Sequence, residues 1–213
     1  MRILSLISVL VIGLVLLNGL HPLNSHSQSS DAFSRGSWVS SWYWVRAYGT
    51  WLEQHEEATL DNYSIATALD PERLSRWRLA AQTIAFDFPA WSAVQPRSDY
   101  GKQALEFYER SRPYFEGDPE WFETGAFLAE TAAENNELAM SYLEEGVKQD
   151  GFPYLLGKRY VNRLDTSGRV REALSFLKAW QSQLTDDPYP ERREEIAAWI
   201  LSLEKELNSE HPR

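Results

Sequence analysis

Hydrophobic and polar positions divide this chain into three stretches. From Ile3 to Leu17 the run is apolar, interrupted only by Ser5, Ser8 and Gly13. Nothing polar gives that run an exposed face, so it does not read as a buried helix of a globular domain. A polar stretch, Asn24 to Ser30, follows. From about Ala32 small and large apolar residues recur three or four positions apart, which predicts helices with one buried face. Clusters such as Glu134-Asn135-Asn136 and Asp165-Thr166-Ser167-Gly168 separate the apolar runs and predict turns.

The helical stretch repeats itself, and a repeat of this kind dictates the fold. Pro119, Pro153 and Pro188 stand 34 and 35 residues apart, and Ala104, Ala139 and Ala173 stand 35 and 34 apart. The large pairs Phe107-Tyr108, Tyr142-Leu143 and Phe176-Leu177 keep the same step. Asp70-Pro71, Asp118-Pro119 and Asp187-Pro188 read as helix starts. There the Asp side chain caps free backbone N–H groups and Pro occupies the first turn, where its missing N–H costs nothing. An Ala with a bulky residue one turn on lets two helices approach closely and interlock. The predicted unit is a helical hairpin of about 34 residues.

A two-helix unit of this length resembles the tetratricopeptide repeat, and the stretch ATALDPERLSRWRLAAQTIAFD is loosely similar to bacterial envelope proteins of that type. Trp77 with Ala81, Trp121 with Gly125, and Gly157 match the large and small positions of that family's first helix. Ala104, Ala139 and Ala173 match the Ala of its second helix, and Pro71 and Pro188 close units. Pro153 departs from the pattern by standing where the early Trp belongs, and the first unit registers on either Trp42 or Tyr43. The resemblance implies an all-α fold, a solenoid of about four TPR-like helical hairpins plus a C-terminal capping helix. It also implies a concave groove for a protein partner, lined by Arg78, Gln82, Phe122, Glu130, Tyr154, Lys158 and Asn162.

On this reading residues 1–27 are a signal peptide or membrane anchor, 28–36 a linker, 37–208 the repeat domain and 209–213 a tail. The hairpins fall at about 37–69, 70–113, 118–149 and 152–184. A terminal helix over 188–208 carries Ile196, Trp199, Ile200, Leu203 and Leu207 on one stripe, suited to closing the stack. Pro71 and Pro119 are 48 residues apart, one repeat plus 14, and the surplus lies at 86–99 as an inserted loop or an extended first helix. Trp91 is the candidate binding residue there, against a reading as local packing over a repeat edge. Trp38, Trp42, Trp44, Tyr48 and Trp51 crowd the first helix, where core packing is the leading reading and a membrane-surface or partner-binding face the other.

Composition narrows the function. A net charge of -10 and a pI near 4.9 disfavour a phosphate-binding surface, so no nucleic-acid partner is expected. The chain has no Cys, which removes disulfides, thiolate ligands and Cys nucleophiles. Of four His only His55 lies within the repeats, as a turn residue, so a zinc site does not assemble. Phosphate loops and nucleophile elbows are missing, and two Ser-x-x-Lys matches, Ser175 to Lys178 and Ser202 to Lys205, lack companion motifs. Asn62-Tyr63-Ser64 fits a glycosylation acceptor but falls on a predicted helix. No catalytic residue, metal or cofactor is therefore expected. With 31 acidic residues and nine Trp, one enzymatic alternative stays open: a small exported carbohydrate-active helical enzyme with paired carboxylates on facing helices.

At the amino end two readings fit. One is a cleaved secretory signal with small residues at Ser25 and Ser27; the other is an uncleaved anchor of 18 residues ending at Leu20, near the roughly 20 that span a bilayer. The expectation is a non-enzymatic protein-binding scaffold, exported (periplasmic or extracellular) or tethered to a membrane. A membrane-tethered structural or oligomerising element is a further alternative.

Overall fold

The computed structural model describes residues 35–92, 95–184 and 188–210, and every regular element among them is helical. The expected signal or anchor and nearly all of the linker lie outside the described residues. The helices are α1 (Arg35–Leu52), α2 (Glu56–Leu69), α3 (Leu74–Gln82), α4 (Phe88–Trp91), α5 (Arg97–Glu109), α6 (Pro119–Thr131), α7 (Asn136–Gly146), α8 (Tyr154–Thr166), α9 (Val170–Gln183) and α10 (Pro190–Glu210).

Capping chemistry sets several boundaries. The Asp118 side chain accepts the Glu120 N–H at 2.9 Å with Pro119 in the first turn of α6, as the Asp-Pro pair predicts. Asn135 accepts the Leu138 N–H at 3.0 Å to start α7, after Glu134 turns the chain through a φ of 54°. His55 caps α2, its Nδ1 accepting the Ala58 N–H at 3.4 Å. The other two expected starts are corrected. Asp70 ends α2 and its carboxylate pairs with Arg73 and Arg76, so α3 begins only at Leu74. Pro188 lies ahead of α10, which begins at Pro190, and Asp187 is outside the described residues.

The 86–99 segment begins as a continuation of the helix before it, as far as Trp91. Helix α3 continues without a break through a π-helical turn, Thr83–Asp87, into α4. Pro89 has no N–H to give the carbonyl four residues back and its ring crowds that turn. The wider turn just before it, closed by the Phe88 N–H on the Thr83 carbonyl, accommodates the defect. Trp91 then packs edge-on against Trp51 of α1, whose indole N–H donates to Asp87 at 2.8 Å. Trp91 is thus half-buried in local packing against the first hairpin.

The Ala column and most of the large-pair column lie in the core, whereas the Pro column does not. Trp77, Ala81, Ala104, Phe107, Tyr108, Trp121, Ala139, Tyr142, Leu143, Ala173 and Leu177 are all buried. Small residues set the closest approaches: a Cβ on Gly125 would meet the Tyr142 ring at 2.9 Å, and one on Gly157 would meet Trp180 at 2.6 Å. The helices of each hairpin pack on each other and on the next helix in the chain, and α6 also touches α3 and α8. Three bonds share a sequence separation of 33: the Tyr142 hydroxyl donates to Glu109, Arg112 to Glu145 at 2.7 Å, and Arg163 to Glu130 at 2.5 Å.

The last helix lays Ile196, Ile200 and Leu203 onto Val161, Leu164, Leu177 and Trp180 of α8 and α9. The first hairpin is fastened differently. The buried Arg76 guanidinium of α3 donates to the Ser40 and Ser41 hydroxyls of α1 and to Asp70, and lies over the Trp44 ring. Core packing of the whole Trp cluster is corrected. Ser40 and Ala47 are buried and Trp44 and Trp51 half-buried on one face of α1, while Trp38, Trp42 and Tyr48 are more than half exposed. The helix is apolar on both faces, and the face of Ser40, Trp44, Ala47 and Trp51 is the one turned toward the body.

Candidate functional site

A cleft of about 390 Å³ opens where α3, α6 and α8 meet. Helix α3 supplies Arg78 and Gln82, one turn apart. Helix α6 supplies Glu120, Glu123, Thr124 and Phe127, whose spacing places them on one face. Arg159 comes from α8 and Pro153 from the residue that precedes it.

The cleft holds opposite charges in fixed positions. Arg78 bridges to Glu120 at 3.1 Å across the α3–α6 junction. The Arg159 guanidinium lies 5.2 Å from the centre of the Phe127 ring, a cation–π distance. The Nε of Arg78 and an Nη of Arg159 are buried, and neither has a hydrogen-bond acceptor among the described residues. Guanidinium nitrogens only donate, and a buried donor with no acceptor is costly, so both are suited to an acceptor arriving from outside.

The seven groove residues expected from the sequence separate into groups. Arg78 and Gln82 line the cleft. Tyr154 and Lys158 face α10: the Tyr154 hydroxyl donates to Glu195 at 2.8 Å, and the Lys158 ammonium lies 2.6 Å from the same carboxylate. Those two bonds, the Lys158 one first, hold the Glu195 carboxyl below its ordinary pKa. Glu130 pairs with Arg163, and Asn162 is exposed on the following turn of α8. Phe122 is corrected: it is 4% exposed, set edge-on to Trp121 and close against Gly146 of α7. On α6 the open face runs through Glu120, Glu123 and Phe127, which turns Phe122 into the core.

Sequence reasoning missed Glu120, Glu123, Phe127 and Arg159. The α6 residues were legible as a stripe at helical spacing. Arg159 was one residue from Lys158, a rotation of about 100° around the helix. Its unit lacks the early Trp that would fix the register, since Pro153 stands in that place. Phe86 of the 86–99 segment does not line the cleft but packs on Phe127, which does, with ring centres 5.7 Å apart, and lies beneath the Arg97 guanidinium.

The cleft's two lining carboxylates, Glu120 and Glu123, stand on the same helix, and no Trp lines it. The paired-carboxylate alternative asks for acids on facing helices beside Trp. Among the described residues no group of three or more His, Asp or Glu is placed to hold a metal ion. No protein-family model matches the chain, and no curated protein matches its sequence.

Proposed function

We propose that this protein is a tetratricopeptide-like scaffold, exported or tethered at a membrane, that holds a partner protein in the α3–α6–α8 cleft and performs no chemistry itself. The observation that carries this reading is one buried guanidinium donor on each of Arg78 and Arg159, with no acceptor among the described residues, in a cleft that also exposes the Phe127 ring. A partner segment that brings a carboxylate or carbonyl acceptor together with an apolar side chain meets both features.

The solenoid part of the proposal draws support from three features. The Ala column and all of the large-pair column except Phe176 are buried, polar bonds recur at a separation of 33, and α6 touches both α3 and α8. In this reading four hairpins stack and α10 closes the last. Export or tethering is proposed from the apolar run at Ile3 to Leu17.

The test is capture of partners by the full-length protein from its native membranes, comparing wild type with Arg78→Glu/Arg159→Glu and with Lys158→Glu. The proposal expects a stoichiometric partner that the double variant loses and Lys158→Glu retains, because Lys158 faces α10 and not the cleft. Equal recovery by all three proteins would overturn the cleft as the binding site.

A further inference from the structure

Among the described residues, six of the thirteen exposed large hydrophobic ones belong to α1: Trp38, Val39, Trp42, Val45, Tyr48 and Leu52. At about 100° per residue they occupy one half of the helix surface, opposite the face that meets α2 and α3. The one charged side chain among them, Arg46, stacks over Trp42 with its guanidinium 5.3 Å from the ring centre. A patch holding Trp, Tyr and aliphatic side chains at about half exposure rivals the largest found on ordinary soluble monomers, roughly 300–600 Å².

Two observations specify what covers it. Helix α1 carries Arg35 and Arg46 and no acidic residue, in a chain of net charge -10. The helix is therefore net positive in an acidic chain, which favours contact with anionic groups. It also begins 15 residues after Leu20, the end of the apolar run. At no more than about 3.5 Å per residue, that connection holds α1 within roughly 50 Å of a bilayer that receives the run. Trp, Tyr and Arg on an apolar helix face are the composition that settles between headgroups and acyl chains.

We infer that α1 lies in the membrane–water interface, with Trp42, Val45 and Leu52 toward the acyl chains and Arg46 among anionic headgroups. The inference rests on the tethered form of the proposal above and is independent of the cleft.

The chain has no Cys, so Val45→Cys or Leu201→Cys gives a single site for a spin label; Leu201 is an exposed apolar residue of α10. Full-length protein is reconstituted in phosphatidylcholine–phosphatidylglycerol vesicles, and each label's accessibility to oxygen and to a water-soluble nickel complex is measured. The expected result is a several-fold preference for oxygen at position 45 and none at position 201. Adding Trp42→Ser and Leu52→Ser should abolish the preference at 45 while leaving the helical circular dichroism intact. Protein that floats with the vesicles but keeps an aqueous label at 45 would overturn the interfacial α1 alone. Failure to float would overturn the tether as well. A label at 45 shielded from both reagents would mean a protein surface, such as a second copy, covers α1, and would also overturn the inference.

Discussion

At the carboxyl end of the described helices, α10 lays three buried apolar residues onto α8 and α9, and its Glu195 binds Tyr154 and Lys158 beside them. At the amino end the materials are reversed. Arg76, Ser40, Ser41 and Asp70 join α1 to the body through a buried polar network, and the aromatic residues of α1 point largely the other way. An end that covers its apolar face with its own helix needs no further surface. The end that keeps charge inside and rings outside presents an exposed apolar face, the one the interfacial proposal assigns to a membrane.

The comparison is broken or sharpened by four substitutions. The largest effect belongs to Trp180→Ala, which removes a 4%-exposed ring from the C-terminal cluster and should lower the unfolding free energy by about 3–5 kcal/mol in urea titration. Arg76→Ala comes next. It removes the nearly buried guanidinium from the Ser40 and Ser41 hydroxyls and leaves Asp70 with Arg73 alone, and about 3 kcal/mol of destabilisation is expected in the same titration. A loss below about 1 kcal/mol would mean that the polar network does not fasten the amino end.

The Glu195 link is weaker, because the carboxylate is largely exposed, and Glu195→Gln should cost under about 1 kcal/mol. Its sign with pH is fixed. The carboxyl is held below its ordinary value in the fold, so its contribution is complete above the ordinary carboxylate range. It disappears as pH falls through the lowered value. Thermal unfolding of wild type and Glu195→Gln should therefore converge in acid and separate toward neutral pH. The smallest effect is Trp42→Ser, within about 0.5 kcal/mol for the lipid-free protein, since its ring is 56% exposed. A cost near that of Trp180→Ala would show the outer face of α1 to be covered in solution and would break the comparison.

The core was legible because period and burial coincide. Ala104, Ala139 and Ala173 sit where helices cross, and the Trp and Tyr columns fill the spaces between them, so spacing alone located them. The Asp118-Pro119 start and the Ile196–Leu203 stripe were legible for the same reason, each being a local signal that agrees with its packing. Helix α1 was not, because apolar residues on both faces leave no periodic cue to say which face turns inward. The cleft was half legible. Arg78 and Gln82 follow an anchoring Trp77 that fixes the register of α3, whereas α8 starts from Pro153, and the expected Lys158 fell one position from Arg159. The π-helical turn rests on Pro89 and the wider turn before it, a backbone accommodation that the apolar pattern does not register.

The central claim is that the α3–α6–α8 cleft receives a partner protein. It is tested most directly by placing a photo-crosslinking residue at Gln82, inside the cleft, and in a separate protein at Leu201 on the exposed surface of α10, then irradiating in the native membranes. The account predicts one discrete adduct from position 82, lost when Arg78→Glu and Arg159→Glu are added, and no such adduct from position 201. The same adduct pattern from both positions, or none from position 82, would contradict it.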